Sequence, residues 1–129
     1  MSDRLTTLLT RTGYALPEDY TMFLRRHRCH ELSDGHVSSN PDYWGVREIF
    51  EIGDGPRDSQ VDVVYEQLKD VLPPFSLPIA QDWAGNLYLI DLTQGNAVVW
   101  WNHERDLTDH HVDRVADTFS LFLSLIREG

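Results

Sequence analysis

Cysteine is almost absent from this sequence, and long apolar runs are missing altogether. The single cysteine, Cys29, excludes an internal disulfide, so the hydrophobic core must hold the fold without a covalent cross-link. No apolar run is long enough for a secretory signal or for a membrane-spanning helix. These absences predict a protein that stays in the reducing environment of the cytoplasm and does not enter a membrane.

Basic residues are also scarce. Only 11 Lys and Arg stand against 21 Asp and Glu, which gives a net charge of -10. This balance repels phosphate backbones and anionic lipid headgroups, so nucleic acid and membranes are poor partners. The excess is uneven, because residues 1–47 hold six acids and six bases while residues 48–129 hold fifteen acids and five bases. Two interpretations remain open: acidity that only keeps the protein in solution, or an acidic face for a basic protein partner.

Apolar spacing predicts four helices within one domain that spans residues 1–129. Turn and capping residues set the expected boundaries. The predicted helices are residues 3–12, a helix that starts at Pro17, residues 61–68 behind Asp58 or Ser59 as a cap, and residues 112–126 behind Thr108 or Asp109 as a cap.

Short β-prone runs separated by turn residues predict an antiparallel meander. The predicted strands are residues 43–52, 76–80, 87–92 and 97–101, which place the sheet between about residues 43 and 102. Helices at both ends of this run indicate an α+β fold with a mainly antiparallel sheet flanked by N-terminal and C-terminal helices. In that arrangement one face of the sheet is covered and the other can be left free for a partner.

Three segments resemble known family motifs in their order along the chain. The first is Leu16-Pro17-Glu18-Asp19-Tyr20 with Phe23-Leu24. The second is Leu77-Pro78-Ile79-Ala80-Gln81-Asp82, Gly85-Asn86, residues 87–92 and residues 98–104. The third is Asp117-Thr118-Phe119-Ser120-Leu121-Phe122-Leu123. Together they resemble the SUKH superfamily, which includes Smi/Knr-like fungal regulators and many bacterial immunity proteins. The resemblance implies protein binding without catalysis, commonly by an immunity protein that blocks a cognate toxin, and many such toxins are nucleases.

Residues with catalytic or metal-binding chemistry do not form a known motif. His27, Cys29, His30 and His36 lack a complementary ligand pair, so we expect no metal. His103-Glu104 lacks the second histidine of a zinc protease, and the adjacent His110 and His111 cannot readily share an ion on a helix. Asp54 with Asp58, or Asp82 with Asp91, offer an acid and base pair, but a solvated acidic surface explains them better. We therefore expect neither enzyme activity nor a cofactor.

Aromatic residues next to carboxylates suggest where a partner binds. Trp100 and Trp101 are neighbours on a predicted strand, so they face opposite sides of the sheet, and one of them can be exposed. Residues 48–70 carry half of the net charge, whereas the second acidic segment, residues 104–117, falls mostly on the predicted last helix. The alternative is that three or more of the four tryptophans belong to the core. The predicted partner-binding residues are Trp44, Glu48, Glu51, Asp54, Asp58, Asp82 and Trp83.

Two functions remain open on these grounds. The preferred one is an immunity-type protein that binds a basic toxin, with carboxylates that speed association and aromatics that slow dissociation. The rival is a regulatory or scaffold protein that recruits a cellular partner. The gene immediately upstream distinguishes them, because a large secreted protein with a variable C-terminal domain favours immunity. The sequence does not indicate the oligomeric state.

Overall fold

A computed structural model describes residues 2–13, 16–26, 30–31, 35–38, 44–73, 75–93, 95–102 and 112–127. These residues form four α-helices, a short 3-10 turn and eight strands. In chain order they are α1 (Ser2–Thr12), α2 (Glu18–Arg26), β1 (His30–Glu31), β2 (His36–Val37), β3 (Glu48–Ile49), the 3-10 turn (Arg57–Ser59), α3 (Val61–Leu68), β4 (Ser76–Gln81), β5 (Leu87–Asp91), β6 (Ala97–Trp101), β7 (Val112–Ala116), α4 (Phe119–Leu125) and β8 (Ile126–Arg127).

The main sheet has six strands in the order β1-β3-β4-β5-β6-β7, and every neighbouring pair is antiparallel. The three strands of the predicted meander pair as expected, with Leu87 opposite both Gln81 and Trp101. The predicted α+β class with a mainly antiparallel sheet is therefore confirmed. The sheet is wider than predicted, because β1 and β7 extend it beyond residues 43–102. The strands β2 and β8 form a separate antiparallel pair.

The last predicted helix is wrong over its first half. Val112–Ala116 is the strand β7, which pairs with β6, and α4 begins only at Phe119. Pairing with β6 overrides the helical spacing of the apolar residues, since an unpaired strand edge leaves backbone groups without partners. Thr118 caps α4, and its side chain accepts from the backbone N–H of Leu121 at 3.1 Å. The predicted caps Thr108 and Asp109 lie outside the described residues.

The predicted cap of α3 also differs. Asp58 and Ser59 belong to the 3-10 turn, and Gln60, in an extended conformation, is the residue that precedes the helix. The Ser59 hydroxyl does not cap the helix because it donates to the carboxylate of Glu48 at 2.8 Å. A tertiary hydrogen bond thus takes the side chain that local capping chemistry would use.

Helices cover both faces of the central sheet, so the expectation of a free face is wrong. On one face the ring of Tyr88 contacts Phe122 of α4 at 5.2 Å between centroids, and Phe119 of α4 contacts Tyr20 and Phe23 of α2. The other face packs against α3, which in turn contacts α1. Residues of β4, β5 and β6 are consequently buried on both sides, apart from the half-buried strand ends.

The adjacent tryptophans of β6 are both buried. Their opposite orientation follows from the strand, but each one meets a covered face, so Trp100 and Trp101 are only 4% and 1% exposed. The expectation that one of them is exposed is wrong. Neither ring therefore lies on the outer surface of the protein.

In the part of the chain that the structure describes, no helix combines the length and the apolar character that crossing a membrane requires.

Candidate partner-binding surface

The hairpin loop between β4 and β5 presents Trp83. Its side chain is 56% exposed, the largest exposure of any large apolar residue in the part of the chain that the structure describes. An indole on a mobile loop contributes less to affinity, because ordering the loop when a partner binds costs free energy. The hydrogen bonds of the loop decide whether that cost arises here.

Asp82 fixes the loop from within. Its Oδ1 accepts from the backbone N–H groups of Ala84 and Asn86 at 2.9 and 2.8 Å, and its Oδ2 accepts from Asn86 Nδ2 at 3.1 Å and from Trp100 Nε1 at 3.2 Å. The Asp82 side chain is thereby buried, although it was predicted as an exposed partner-binding carboxylate. Its place in the structure is that of the internal support of the loop, with Trp83 at the surface.

The Trp83 ring rests against Gly45. A Cβ atom at Gly45 would lie 2.9 Å from Trp83 Cδ1, so any other residue there would displace the ring. The carbonyl oxygen of Gly45 accepts from the Tyr88 hydroxyl at 2.7 Å. Burial raises the pKa of Tyr88, with a further contribution from the charge of Asp82, so the hydroxyl keeps the proton that it donates. Gly45 is therefore a fixed support for Trp83.

Trp44 lies next to this support but differs from Trp83. It is half-buried and packs against the core, while its backbone carbonyl accepts from the N–H of Val37. Its indole Nε1 is buried and has no hydrogen-bond partner among the described residues. Trp83 is thus the one of the two predicted aromatic candidates that is exposed.

Glu48 was predicted on an exposed acidic face, and the structure buries it. Its side chain accepts from Ser59 Oγ at 2.8 Å and from Gln81 Nε2, and the residue is only 4% exposed. These bonds tie β3 to β4 and to the turn before α3. Burial of an ionisable side chain requires such partners, and sequence position alone does not reveal them.

Glu51 is buried as well, at 1% exposure, and organises the turn that follows it. Its Oε2 accepts from the backbone N–H of Gly55 at 2.8 Å and from Gln60 Nε2 at 2.7 Å. A Cβ atom at Gly55 would collide with that same oxygen, which explains the glycine. The turn around this carboxylate carries Asp54, which is exposed. Glu51 therefore lies under the predicted surface and supports it.

The N-terminal helix neutralises two further carboxylates of residues 48–70. Arg4 binds Asp62 through two hydrogen bonds of 2.9 and 2.8 Å, and Arg11 binds Glu66 at 2.8 Å. Sequence reasoning missed this pairing because it treated the segment in isolation. Residue spacing could have indicated the pairing. The two arginines are seven residues apart and lie on one face of α1, and the two acids are four residues apart and lie on one face of α3. Exposed carboxylates remain at Asp54, Asp58 and Asp70.

A groove of about 790 Å³ lies between α3 and the sheet, beneath this surface. Its apolar lining is Phe50, Val64, Leu68, Val71, Leu87 and Trp101, and its polar lining includes Arg47, Glu48, Asp58, Gln67 and Gln81. Gly85, from the same loop as Trp83, also borders it. The groove was not predicted, since it forms only when α3 packs beside the meander.

Comparison with family models gives one match, to the SMI1 / KNR4 family (SUKH-1), over residues 3–125. The chain belongs to this family. Membership of SUKH-1 is consistent with an immunity-type protein-binding role. No significant match was found among curated proteins or among solved structures.

Two of the motif segments pack against each other in this SUKH-1 chain. Tyr20 of the first meets Phe119 of the third at 4.8 Å between ring centroids. Asp19 Oδ2 accepts from both the backbone N–H and the hydroxyl of Ser120, at 2.9 and 2.8 Å. The middle segment contains Asp82 and the loop that presents Trp83. The family resemblance therefore rests on residues that build the scaffold around the candidate surface.

The remaining chemical predictions concern metals and acid pairs. Within the described ranges, no group of three or more His, Cys, Asp or Glu side chains is placed to hold a metal ion. His27, Cys29, His103, Glu104, His110 and His111 lie outside those ranges. Asp82 and Asp91 cannot act as a pair, because Gln81 and Asp91 mark opposite ends of the β4–β5 hairpin. The absence of a bound metal stays a prediction.

Proposed function

We propose that this SUKH-1 chain is a non-catalytic protein-binding domain that neutralises a cognate toxin by binding it in the cytoplasm. The observation that carries the proposal is Trp83, an exposed indole on a loop that is already fixed by Asp82 and Gly45. An aromatic side chain of this kind is typical of the few residues that dominate binding energy at protein interfaces.

Preorganisation is what makes Trp83 suitable. Four hydrogen bonds accepted by Asp82 hold the loop in the free protein. The partner therefore does not have to order the loop, and more of the free energy of indole burial contributes to affinity. A purely structural tryptophan would instead be buried, as Trp100 and Trp101 are.

The proposed partner is a basic protein. The chain carries a net charge of -10, and two of the predicted partner-binding acids, Asp54 and Asp58, have exposed side chains. A toxin that cleaves nucleic acid needs a cationic surface to attract phosphates, and that surface is attracted to carboxylates in the same way. Complementary charge would accelerate association, and burial of Trp83 would slow dissociation.

The proposed role needs no catalysis. Glu48, Glu51 and Asp82, the three buried acidic residues of the described chain, are all engaged in hydrogen bonds that hold turns and strands together. Their carboxylates are thus accounted for by folding. We accordingly propose no catalytic residue and no cofactor.

Co-expression tests the proposal directly. The C-terminal domain of the protein encoded by the gene immediately upstream is expressed in a bacterial host with or without this chain, and growth is measured. We expect the wild-type chain to restore growth and Trp83→Ala to restore it poorly at equal protein level. No restoration, together with a stable complex between this chain and a cellular regulator, would replace the toxin proposal with the regulatory one.

A further inference from the structure

We propose that the groove between α3 and the sheet binds a peptide segment of the partner through an arginine side chain and a neighbouring backbone carbonyl. The inference rests on the proposed function, because it specifies which chemistry of a basic partner the surface recognises. Asp58 connects the two, since it lies both on the exposed acidic surface and in the lining of the groove.

The walls of the groove suit the aliphatic part of a long basic side chain. Val64, Leu68 and Val71 line it from α3 and the turn that follows, while Leu87 and Trp101 line it from the sheet. Val71 remains 39% exposed at this position, although its neighbour Leu72 is buried. Arginine covers such apolar surface with its methylene groups while its charged end stays near polar groups. Its planar guanidinium also stacks on indole rings.

The charge of the lining favours a cation over an anion. Glu48 and Asp58 contribute two carboxylates and Arg47 contributes the single basic side chain of the lining. Glu48 belongs to β3, and its side chain is buried against the turn before α3, where water screens its charge little. A guanidinium that reaches this end of the groove meets a negative potential, whereas a glutamate side chain would be repelled.

The indole of Trp101 is a second feature of the groove lining that favours a peptide. Its indole Nε1 is buried without a hydrogen-bond partner among the described residues, and Trp101 lines the groove. The neighbouring Trp100 satisfies its own Nε1 on Asp82. A buried donor without an acceptor is unfavourable. Nε1 is closed to water in this structure, so the proposed binding includes a shift of the groove wall that lets a ligand carbonyl oxygen reach it. A backbone carbonyl of a peptide is the acceptor that every protein partner can offer.

The test uses the pentapeptide acetyl-Ala-Leu-Arg-Leu-Ala-amide as the probe. Its binding to the intact protein is followed by NMR at the four indole N–H resonances, which are assigned with single Trp→Phe variants. We expect a downfield shift of the Trp101 signal that saturates with peptide. The same peptide with neutral citrulline in place of arginine should bind about two- to fivefold more weakly.

Two variants and a matched control separate binding from folding. Trp101→Phe removes the unpartnered donor and should weaken peptide binding about two- to tenfold. Asp58→Asn removes an exposed charge from the lining, and we expect about two- to fivefold weaker binding at low salt. Asp117→Asn makes the same change at an exposed position in the connection between β7 and α4, and it should leave peptide binding unchanged.

Several results would overturn the inference. These are equal binding of the arginine and citrulline peptides, a shift of the Trp83 signal without one at Trp101, and no binding at millimolar peptide. Dimerisation of the protein that is abolished by Val71→Glu would also overturn it, since the occupant would then be a second copy. If the peptide binds as expected while the toxin is not neutralised, the groove chemistry stands and the proposed function fails.

Discussion

Asp82 links the interior of the protein to its most exposed indole. The carboxylate accepts from two backbone N–H groups of the loop and from the indole of Trp100, which lies in the core. A single side chain therefore fixes the position of Trp83 without contacting a partner. Because several donors share this one acceptor, its removal affects all of them at once.

We expect Asp82→Ala to lower the free energy of unfolding by about 2–3 kcal/mol, because buried donors lose a charged acceptor. Asp91→Ala is the matched control. Asp91 accepts from Thr93 in a similar turn at the surface, where water can replace it, so the loss should be under about 1 kcal/mol. Urea unfolding of both variants gives the comparison. Equal losses would show that Asp82 has no special role.

For single residues, the sequence indicated which residue types could bind a partner, but not which of their side chains folding would bury. The exposure of Trp83 follows from its position, because an aromatic residue in a hairpin loop has few core contacts available to it. Glu48 and Glu51 were misplaced because acidic residues are usually exposed, and their burial depends on Gln81 and Gln60, which folding brings from elsewhere. These hydrogen-bond partners do not recur at a regular spacing along the chain, so no local sequence pattern predicts them.

Among the elements, α1 and α3 are joined by an ion pair that controls how the N-terminal helix docks. Arg4 reaches Asp62, the carbonyl of Gly53 and the side chain of Gln60, so one guanidinium contacts the helix and the preceding turn. Burial opposes ionisation of Asp62 and is the largest single influence, but the hydrogen bond and charge of Arg4 outweigh it, so the pKa of Asp62 is lowered.

This lowered pKa predicts a dependence of stability on pH. The unfolded chain has an Asp pKa of about 3.9, so the contribution of Asp62 is present above that pH and is lost as the pH falls through the lower folded value. We expect Asp62→Asn to reduce the free energy of unfolding near neutral pH by about 1 kcal/mol, since both partners keep contact with water. The difference from wild type should shrink on acidification.

Urea unfolding at several pH values measures this effect. The exposed pair of Arg114 and Asp117 supplies the control, and Asp117→Asn should change stability little at any pH. An Asp62→Asn protein whose stability deficit is the same at acidic and at neutral pH would contradict the assigned role.

Helices and strands were predictable wherever local pattern and tertiary pairing agree. The meander of β4, β5 and β6 combines β-prone runs with hairpin turns, and α3 combines apolar spacing with a proline stop. The segment 112–126 was wrongly predicted as one helix because Val112 and Val115 satisfy helical spacing and also favour strands. The open edge of β6 decides between these structures, and that edge exists only in the folded sheet.

For the whole molecule, charge is redistributed by folding. Arg4 and Arg11 of the N-terminal helix pair with two acids of the segment 48–70, so part of its negative charge is neutralised in the folded protein. The groove behind Asp58 could not be predicted either, because it depends on the packing of α3 against the sheet. The acidic surface proposed for the partner is consequently smaller than the segment that suggested it.

Exposed carboxylates near the groove should still steer the partner. We expect the double variant Asp54→Lys and Asp58→Lys to slow association with the toxin severalfold at low salt, with a smaller effect at high salt because ions screen the charges. Stopped-flow association rates measure this. The control, Glu18→Lys with Asp117→Lys, makes the same net charge change at exposed positions outside residues 48–70. If it slows association equally, net charge alone is responsible and no local acidic surface exists.

We propose that Trp83 binds the partner, and two exposed aromatic residues allow a matched test. Trp83 and Phe75 are 56% and 54% exposed and lie at opposite ends of β4. The affinity of the purified toxin is measured for Trp83→Ala and for Phe75→Ala, each with unfolding curves to verify folding. We predict a loss of about 30-fold or more for Trp83→Ala and less than about twofold for Phe75→Ala. Unchanged affinity in a folded Trp83→Ala protein would contradict the account.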